Sequence, residues 1–188
     1  MLICFEGVDG SGKTTVSKVL ATELEALWCR TPGEGKVGKR IRKILLDKED
    51  KVHPEALPFL FLGDMIHCHN EIKIINNNHK VIVDRWKMST LIYQVEREWF
   101  TVKQKNLLKK MINEWIPDPD LLIVLDIDFK RYAGGDRFED EPGEFERRRK
   151  LYKKYYKNYK GQKMFLNVTN LSLKQVVLEC KTFIMGNS

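Results

Sequence analysis

Long apolar runs are missing from this chain. Nothing in its 188 residues approaches the roughly 20 consecutive apolar positions that a membrane-spanning helix needs. Cysteine is sparse as well: Cys4, Cys29, Cys68 and Cys180 are scattered with no C-x-x-C pair, which argues against a disulfide framework and against a zinc ribbon. There is no internal repeat, no low-complexity segment and no Ser-His-Asp arrangement. The first residues enter an apolar run directly, so no signal peptide is expected, and the reading is a cytoplasmic protein in reducing surroundings. What remains is ordinary for a globular chain, with 43% hydrophobic and 31% charged residues, and the length suits one compact domain over residues 1–188. The formal charge of +7 suits a polyanionic ligand, nucleotide or nucleic acid, without separating the two.

The most informative stretch lies at the start. Leu2 to Phe5 reads as a buried strand, Gly7-Val-Asp-Gly-Ser-Gly-Lys-Thr14 fills the pattern G-x-x-x-x-G-K-[ST], and Val16 to Leu27 carries apolar residues at helical spacing. Strand, glycine loop and helix are the context a phosphate-binding loop requires. The glycines let successive backbone N–H groups turn inward on phosphate oxygens, and the following helix adds a partial positive charge.

The rest of the chain alternates. Short strands are expected at Trp28–Arg30, Lys80–Arg85, Leu121–Asp126 and Met164–Leu166. Helices are expected over Gly38–Leu46, from Pro54 until Asn76, then Ser89–Glu98, Val102–Trp115, Glu144–Lys160 and Leu171–Phe183. Asp128 to Gly143 is charged and glycine-rich and reads as a mobile loop. Such alternation predicts an α/β fold, a parallel five-stranded sheet covered by helices on both faces. Ligands of such sheets bind at the carboxyl ends of the strands. Gly7, Arg30, Asp84 and Asp126 all lie there.

Four stretches then fall into a familiar order. Phe5 to Thr15, Asp84-Arg85 with Ser89 and Tyr93-Gln94, Pro119 to Asp126, and Asp136-Arg-Phe-Glu139 together resemble the thymidylate kinase family of P-loop nucleoside monophosphate kinases. Arg30-Thr-Pro-Gly33 with Gly38 and Arg42 resembles a divergent form of that family's R-E-P-G-G-T segment. The resemblance implies a three-layer P-loop fold with a short lid at about 128–143, and ATP-dependent phosphoryl transfer to a deoxynucleoside monophosphate, above all dTMP. It places the donor ATP on Gly7, Asp9, Gly10, Ser11, Gly12, Lys13, Thr14 and Thr15, with Lys13 on the β- and γ-phosphates. Thr14, Asp84 and Asp9 would hold Mg²⁺. The acceptor would meet Asp9, Arg42, Phe61, Met65, Arg85, Ser89, Tyr93 and Gln94. Among these, Arg42 and Arg85 would clamp its phosphate in the two-pronged way a guanidinium allows. Tyr93 resembles the tyrosine that packs under the sugar and excludes a 2′-hydroxyl, and Phe61 the phenylalanine stacked on the base. By its residue type alone, Phe61 is equally a core aromatic.

The departures matter too. Gly10 stands where some relatives carry a P-loop arginine, so the catalytic cation is expected from the lid, with Arg137 first and Arg131 second. Met65 stands where the family usually has an arginine on the thymine ring, which predicts relaxed base selectivity or another residue in that role. Thr31 replaces a glutamate and Trp86 a tyrosine. The acceptor of such a reaction is an anionic phosphate oxygen, so no general base is needed. Other readings stay open: a deoxynucleoside kinase using Glu6 as base, an impaired binding protein of the same fold, or a nucleic-acid-stimulated ATPase. The last draws on the tyrosine- and lysine-rich helix 147–160, yet Leu151, Tyr152, Tyr155 and Tyr159 share one face, which suits packing on the sheet. The expected partners are therefore ATP, a deoxynucleoside monophosphate and a second copy of the chain, rather than nucleic acid or a membrane.

Overall fold

The computed structural model describes residues 1–46, 52–75, 79–130 and 142–187. Among these residues five strands, β1 (Leu2–Gly7), β2 (Leu27–Arg30), β3 (Val81–Asp84), β4 (Leu121–Asp126) and β5 (Gln162–Asn167), form one sheet in the order β2-β3-β1-β4-β5, every pairing parallel. β1, β3 and β4 are buried along their whole length. That is why they read as unbroken apolar runs, since helices cover both faces of a parallel sheet.

Among the described residues the helices are α1 (Lys13–Glu23), α2 (Lys36–Leu46), α3 (Leu57–Ile75), α4 (Lys87–Thr90), α5 (Val102–Trp115), α6 (Glu144–Asn158) and α7 (Leu173–Gly186). Right-handed crossovers dictate their sides. The step from β1 back to β2 puts α1 on one face, where α7 joins it. The remaining steps all run the other way across the sheet and put α2 through α6 on the opposite face. No helix among the described residues is long and apolar enough to cross a membrane.

Several boundaries differ from the sequence expectation for local reasons. Leu27 opens β2 instead of closing α1, because Glu25 takes a left-handed backbone and its N–H returns to Thr22. The expected helix Ser89–Glu98 is α4 continued by a wide π-type turn over Leu91–Val95, where the Glu96 N–H reaches five residues back to Leu91. α3 is preceded by a 3₁₀ turn at Pro54–Ala56. Capping boxes start α5 (Thr101 with Gln104) and α7 (Ser172 with Gln175), and a cap is typically worth about 1 kcal/mol.

The register brings the strand ends together. Arg30 lies beside Asp84, Phe5 beside Asp84 on the other side, and Gly7 beside Leu125. Gly7 is sterically required: a Cβ there would sit 2.0 Å from the Leu125 carbonyl oxygen, at a φ of +136°. α6 shows the expected split, with Tyr152 buried, Leu151, Tyr155 and Tyr159 half-buried, and Lys150, Lys153, Lys154 and Lys157 facing water.

Candidate active site

The glycine loop between β1 and α1 is folded and close. Lys13 is buried and donates its Nζ proton to the Val8 carbonyl at 2.7 Å, lying back across the loop. Thr14 points to the end of β3, where its hydroxyl donates to Asp84 Oδ2 at 2.5 Å. Asp84 is itself buried, and its Oδ1 has no hydrogen-bond partner among the described residues. An unsatisfied buried oxygen costs about 1–3 kcal/mol, more when charged, so this pair fits a divalent cation.

On the other side of the loop, Asp9 gathers three side chains. Arg85 Nη2 pairs with its Oδ1. The Tyr93 hydroxyl donates to Oδ2 at 2.8 Å, and Arg148 Nη1 lies 3.7 Å from the same oxygen. The Arg85 guanidinium lies 5.0 Å from the Tyr93 ring centre and that of Arg148 4.2 Å.

Arg85 is held in an unusual backbone. Its φ is +70°, a left-handed conformation that costs a side-chain-bearing residue about 1–3 kcal/mol. Three bonds fix it there. Its N–H donates to the Phe5 carbonyl at 2.9 Å, its carbonyl accepts from the Thr31 hydroxyl at 2.7 Å, and the next N–H, of Trp86, donates to Glu6 Oε1 at 2.9 Å. Thr31, which the resemblance left without a role, is thus a brace for Arg85.

Glu6 is fully buried. Oε1 also accepts from the Ser89 N–H at 3.0 Å, and Oε2 takes the Ser89 hydroxyl, with the Tyr152 hydroxyl at 3.4 Å. Burial raises its pKa above the ordinary carboxylate value against the pull of these hydrogen bonds. Both oxygens are occupied inside the turn between β3 and α4, so Glu6 does not stand ready as a base. Ser89 faces this network and receives Arg85 Nη1 at 3.3 Å.

Of the other expected acceptor residues, Arg42 donates to the Pro32 carbonyl at 2.5 Å and keeps a buried Nε without a partner among the described residues. Burial, then the nearby Arg30 charge, lowers its pKa. Phe61 and Gln94 are buried, and Met65 is fully so, its sulfur accepting from the Thr90 hydroxyl at 3.1 Å. The lid is described only at its ends, and Arg131 and Arg137 lie outside the described residues. Beside its first end, Arg149 grips Asp126 with two nitrogens, 2.8 Å to each carboxylate oxygen, and reaches Asp128. His67, Cys68 and His69 diverge, to Glu71, Asp64 and Trp86 respectively.

Sequence reasoning missed one cluster. Glu144 accepts from Arg97 Nη1 at 2.8 Å, Arg147 Nε at 2.6 Å and Arg148 Nε at 2.6 Å. Burial would raise its pKa, but the three guanidinium groups outweigh that and hold it at about 2. Arg97 also donates to the Tyr93 carbonyl at 2.7 Å. A signal for this existed: Glu144, Arg148 and Tyr152 recur every four residues, and Tyr152 was already expected on the sheet-facing side.

Known proteins resemble this chain over most of its length. The family model described as thymidylate kinase matches residues 5–180. The probable thymidylate kinase of Methanococcus maripaludis is 35% identical over 158 residues, covering 82% of this chain and 75% of its own. That of Methanocaldococcus jannaschii is 38% identical over 143 residues, covering 74% and 73%. Among solved structures, the thymidylate kinase of Candida albicans aligns with a TM-score of 0.83 at 22% identity, over 99% of this chain and 91% of its own. At that identity the likeness speaks for the fold.

Proposed function

The chain belongs to the thymidylate kinase family, and on that premise we propose that it moves the γ-phosphoryl group of ATP onto dTMP, yielding dTDP and ADP. It is a nucleoside monophosphate kinase, and the alternative of a nucleoside acceptor has lost its support, because the occupied Glu6 offers no base for a sugar hydroxyl. The observation that carries the reading is the Asp9–Arg85 pair, which joins the phosphate-binding loop to a guanidinium beyond its far side.

In this reaction an acceptor phosphate oxygen bonds to the γ-phosphorus while the bond to the β,γ-bridging oxygen breaks, and its electron pair leaves with ADP. Both partners are polyanions, so the protein's work is alignment and charge neutralisation. Lys13 would leave the Val8 carbonyl for the β- and γ-phosphates. Arg85, already braced, and Arg42, through its unpartnered Nε, would take the acceptor phosphate. Asp9 would hold Arg85 and Tyr93 in place beneath the sugar. Thr14 and Asp84 would hold Mg²⁺, which would supply charge neutralisation at the phosphates, whereas Asp9, expected as a third ligand, has its carboxylate oxygens engaged by Arg85 and Tyr93. The transition-state cation remains assigned to the lid, Arg137 before Arg131.

Met65 offers no hydrogen bond to a base from inside the core, and Thr90 is turned onto its sulfur. Selectivity among pyrimidines should then rest on shape, which discriminates by only about 10–200-fold. We also propose a homodimer packed through the outer face of α3, where Phe59, Leu60 and Ile74 are exposed around Gly63. The four unbridged cysteines suit the cytoplasm.

Incubation with ATP, Mg²⁺ and a panel of dTMP, dUMP, dCMP and dGMP, with the products separated by ion-exchange chromatography, tests the reading. It expects dTDP, with dUMP also accepted. ATP hydrolysis without a diphosphate product would refute it, and kcat/KM for dTMP exceeding the others by more than about 10³ would refute the relaxed selectivity.

A further inference from the structure

We propose that Arg148 is a positioning residue that sets the preference for a deoxyribose over a ribose acceptor, by stiffening Tyr93. The inference rests on the acceptor reading above, in which Tyr93 lies beneath the sugar.

Tyr93 is held on every side the structure describes. Its hydroxyl is bound by Asp9 at 2.8 Å, its carbonyl by Arg97 at 2.7 Å, its ring meets Tyr152 edge-on at 6.4 Å, and two guanidinium groups flank it. The two guanidiniums differ in permanence. Arg85 is the group expected to turn to the acceptor phosphate, so its hold on Tyr93 changes when substrate binds. Arg148 does not have that freedom. It is buried, its Nε is tied to Glu144 at 2.6 Å, and its Nη1 lies 3.7 Å from the Asp9 oxygen that also receives the Tyr93 hydroxyl. One planar group therefore fixes both the face of the ring and the carboxylate that anchors its edge.

The consequence is mechanical. With Tyr93 packed beneath the sugar, as in that reading, a 2′-hydroxyl on the acceptor would have to push the ring aside. Against a ring free to tilt, the overlap is relieved at little cost. Against a ring clamped by a desolvated cation–π contact the overlap persists, and affinity falls. Arg148 thus supplies discrimination without touching the substrate.

The experiment measures dissociation constants for dTMP and for ribothymidine 5′-monophosphate by calorimetry, in the wild-type protein and in the Arg148→Met and Arg148→Lys variants. The expectation is that Arg148→Met narrows the deoxyribose preference about tenfold, the scale of a buried cation–π contact. Binding of a non-hydrolysable ATP analogue should be unchanged. Arg148→Lys keeps a cation near Asp9 and Glu144 but loses the plane, so its preference should fall between the two. An unchanged preference in Arg148→Met, or parallel losses for both nucleotides, overturns the proposal. Should Arg148→Met prove too unstable to titrate, Arg148→Lys decides it, and a wild-type preference there overturns it. A wild-type protein that fails to bind dTMP refutes the acceptor reading itself, a result distinct from either.

Discussion

Glu144 should make the protein acid-sensitive in a way one substitution removes. The carboxylate is buried among Arg97, Arg147 and Arg148 and held at a pKa of about 2, against an ordinary value of 4.5. A folded value below the unfolded one means the stabilisation is complete above pH 4.5 and is lost as pH falls toward 2. That gap corresponds to about 3 kcal/mol, in line with the 3–5 kcal/mol that breaking a buried ion pair typically costs. Glu144→Gln keeps the shape and removes the charge, leaving three guanidinium groups without their common partner. Near neutral pH the variant should therefore unfold at a temperature lower by about 6–12 °C. The difference should shrink steadily below pH 4.5 and nearly vanish by pH 2. Urea unfolding followed by tryptophan fluorescence, run from pH 7 to pH 2.5 on both proteins, reads this directly. A stability difference that stays constant over that range would refute the electrostatic account and reduce Glu144 to a packing element.

Two other perturbations follow from the loop. Asp84→Asn replaces the oxygen that receives Thr14 and removes charge from the expected cation site, so kcat should fall by about 10²–10³, and the Mg²⁺ concentration for half-maximal rate should rise. A variant with wild-type Mg²⁺ dependence would take the metal away from this pair. Gly7→Ala forces a Cβ into the Leu125 carbonyl oxygen at 2.0 Å and a φ of +136°, so the sheet must part between β1 and β4. A loss above about 4 kcal/mol is expected, visible as little or no folded protein by circular dichroism, and a cooperative melt near the wild-type temperature would contradict it.

How far the sequence could be read follows from how locally each feature is determined. β1 and β4 were legible because burial on both faces leaves an unbroken apolar run, and the loop after β1 because eight positions spell its backbone geometry. The boundary at Leu27 was not, since an apolar residue at helical spacing looks the same whether it continues α1 or begins β2. Likewise the helix from Ser89 was expected to run to Glu98. The wide turn at Leu91–Val95 is bridged by Arg97, which holds the Tyr93 carbonyl and is itself fixed by Glu144 from α6, a distant partner that no local pattern encodes. At the site, Lys13, Thr14, Asp84 and Arg85 could be named because their motif fixes their neighbours. Arg148 was hidden for the opposite reason: three consecutive arginines before a lysine-rich stretch read as a solvent-facing charge, and only the four-residue spacing to Tyr152 betrays which one turns inward. Glu6 was visible only as an open candidate base, because its occupation depends on Ser89 and Tyr152, far away in the chain.

Arg85 also bears on which substitutions this chain can accept. Its backbone asks for a glycine or an asparagine, while its chemistry asks for a guanidinium, and no residue meets both demands. The compromise holds only while Thr31 and Glu6 brace the turn on either side. Position 85 therefore cannot drift alone. In this chain an exchange at 31 that brings no donor leaves the Arg85 carbonyl without the Thr31 hydroxyl, and loss of the arginine frees its two braces as well. In this chain the three positions act as one mechanical unit, split across β1, the end of β2 and the end of β3.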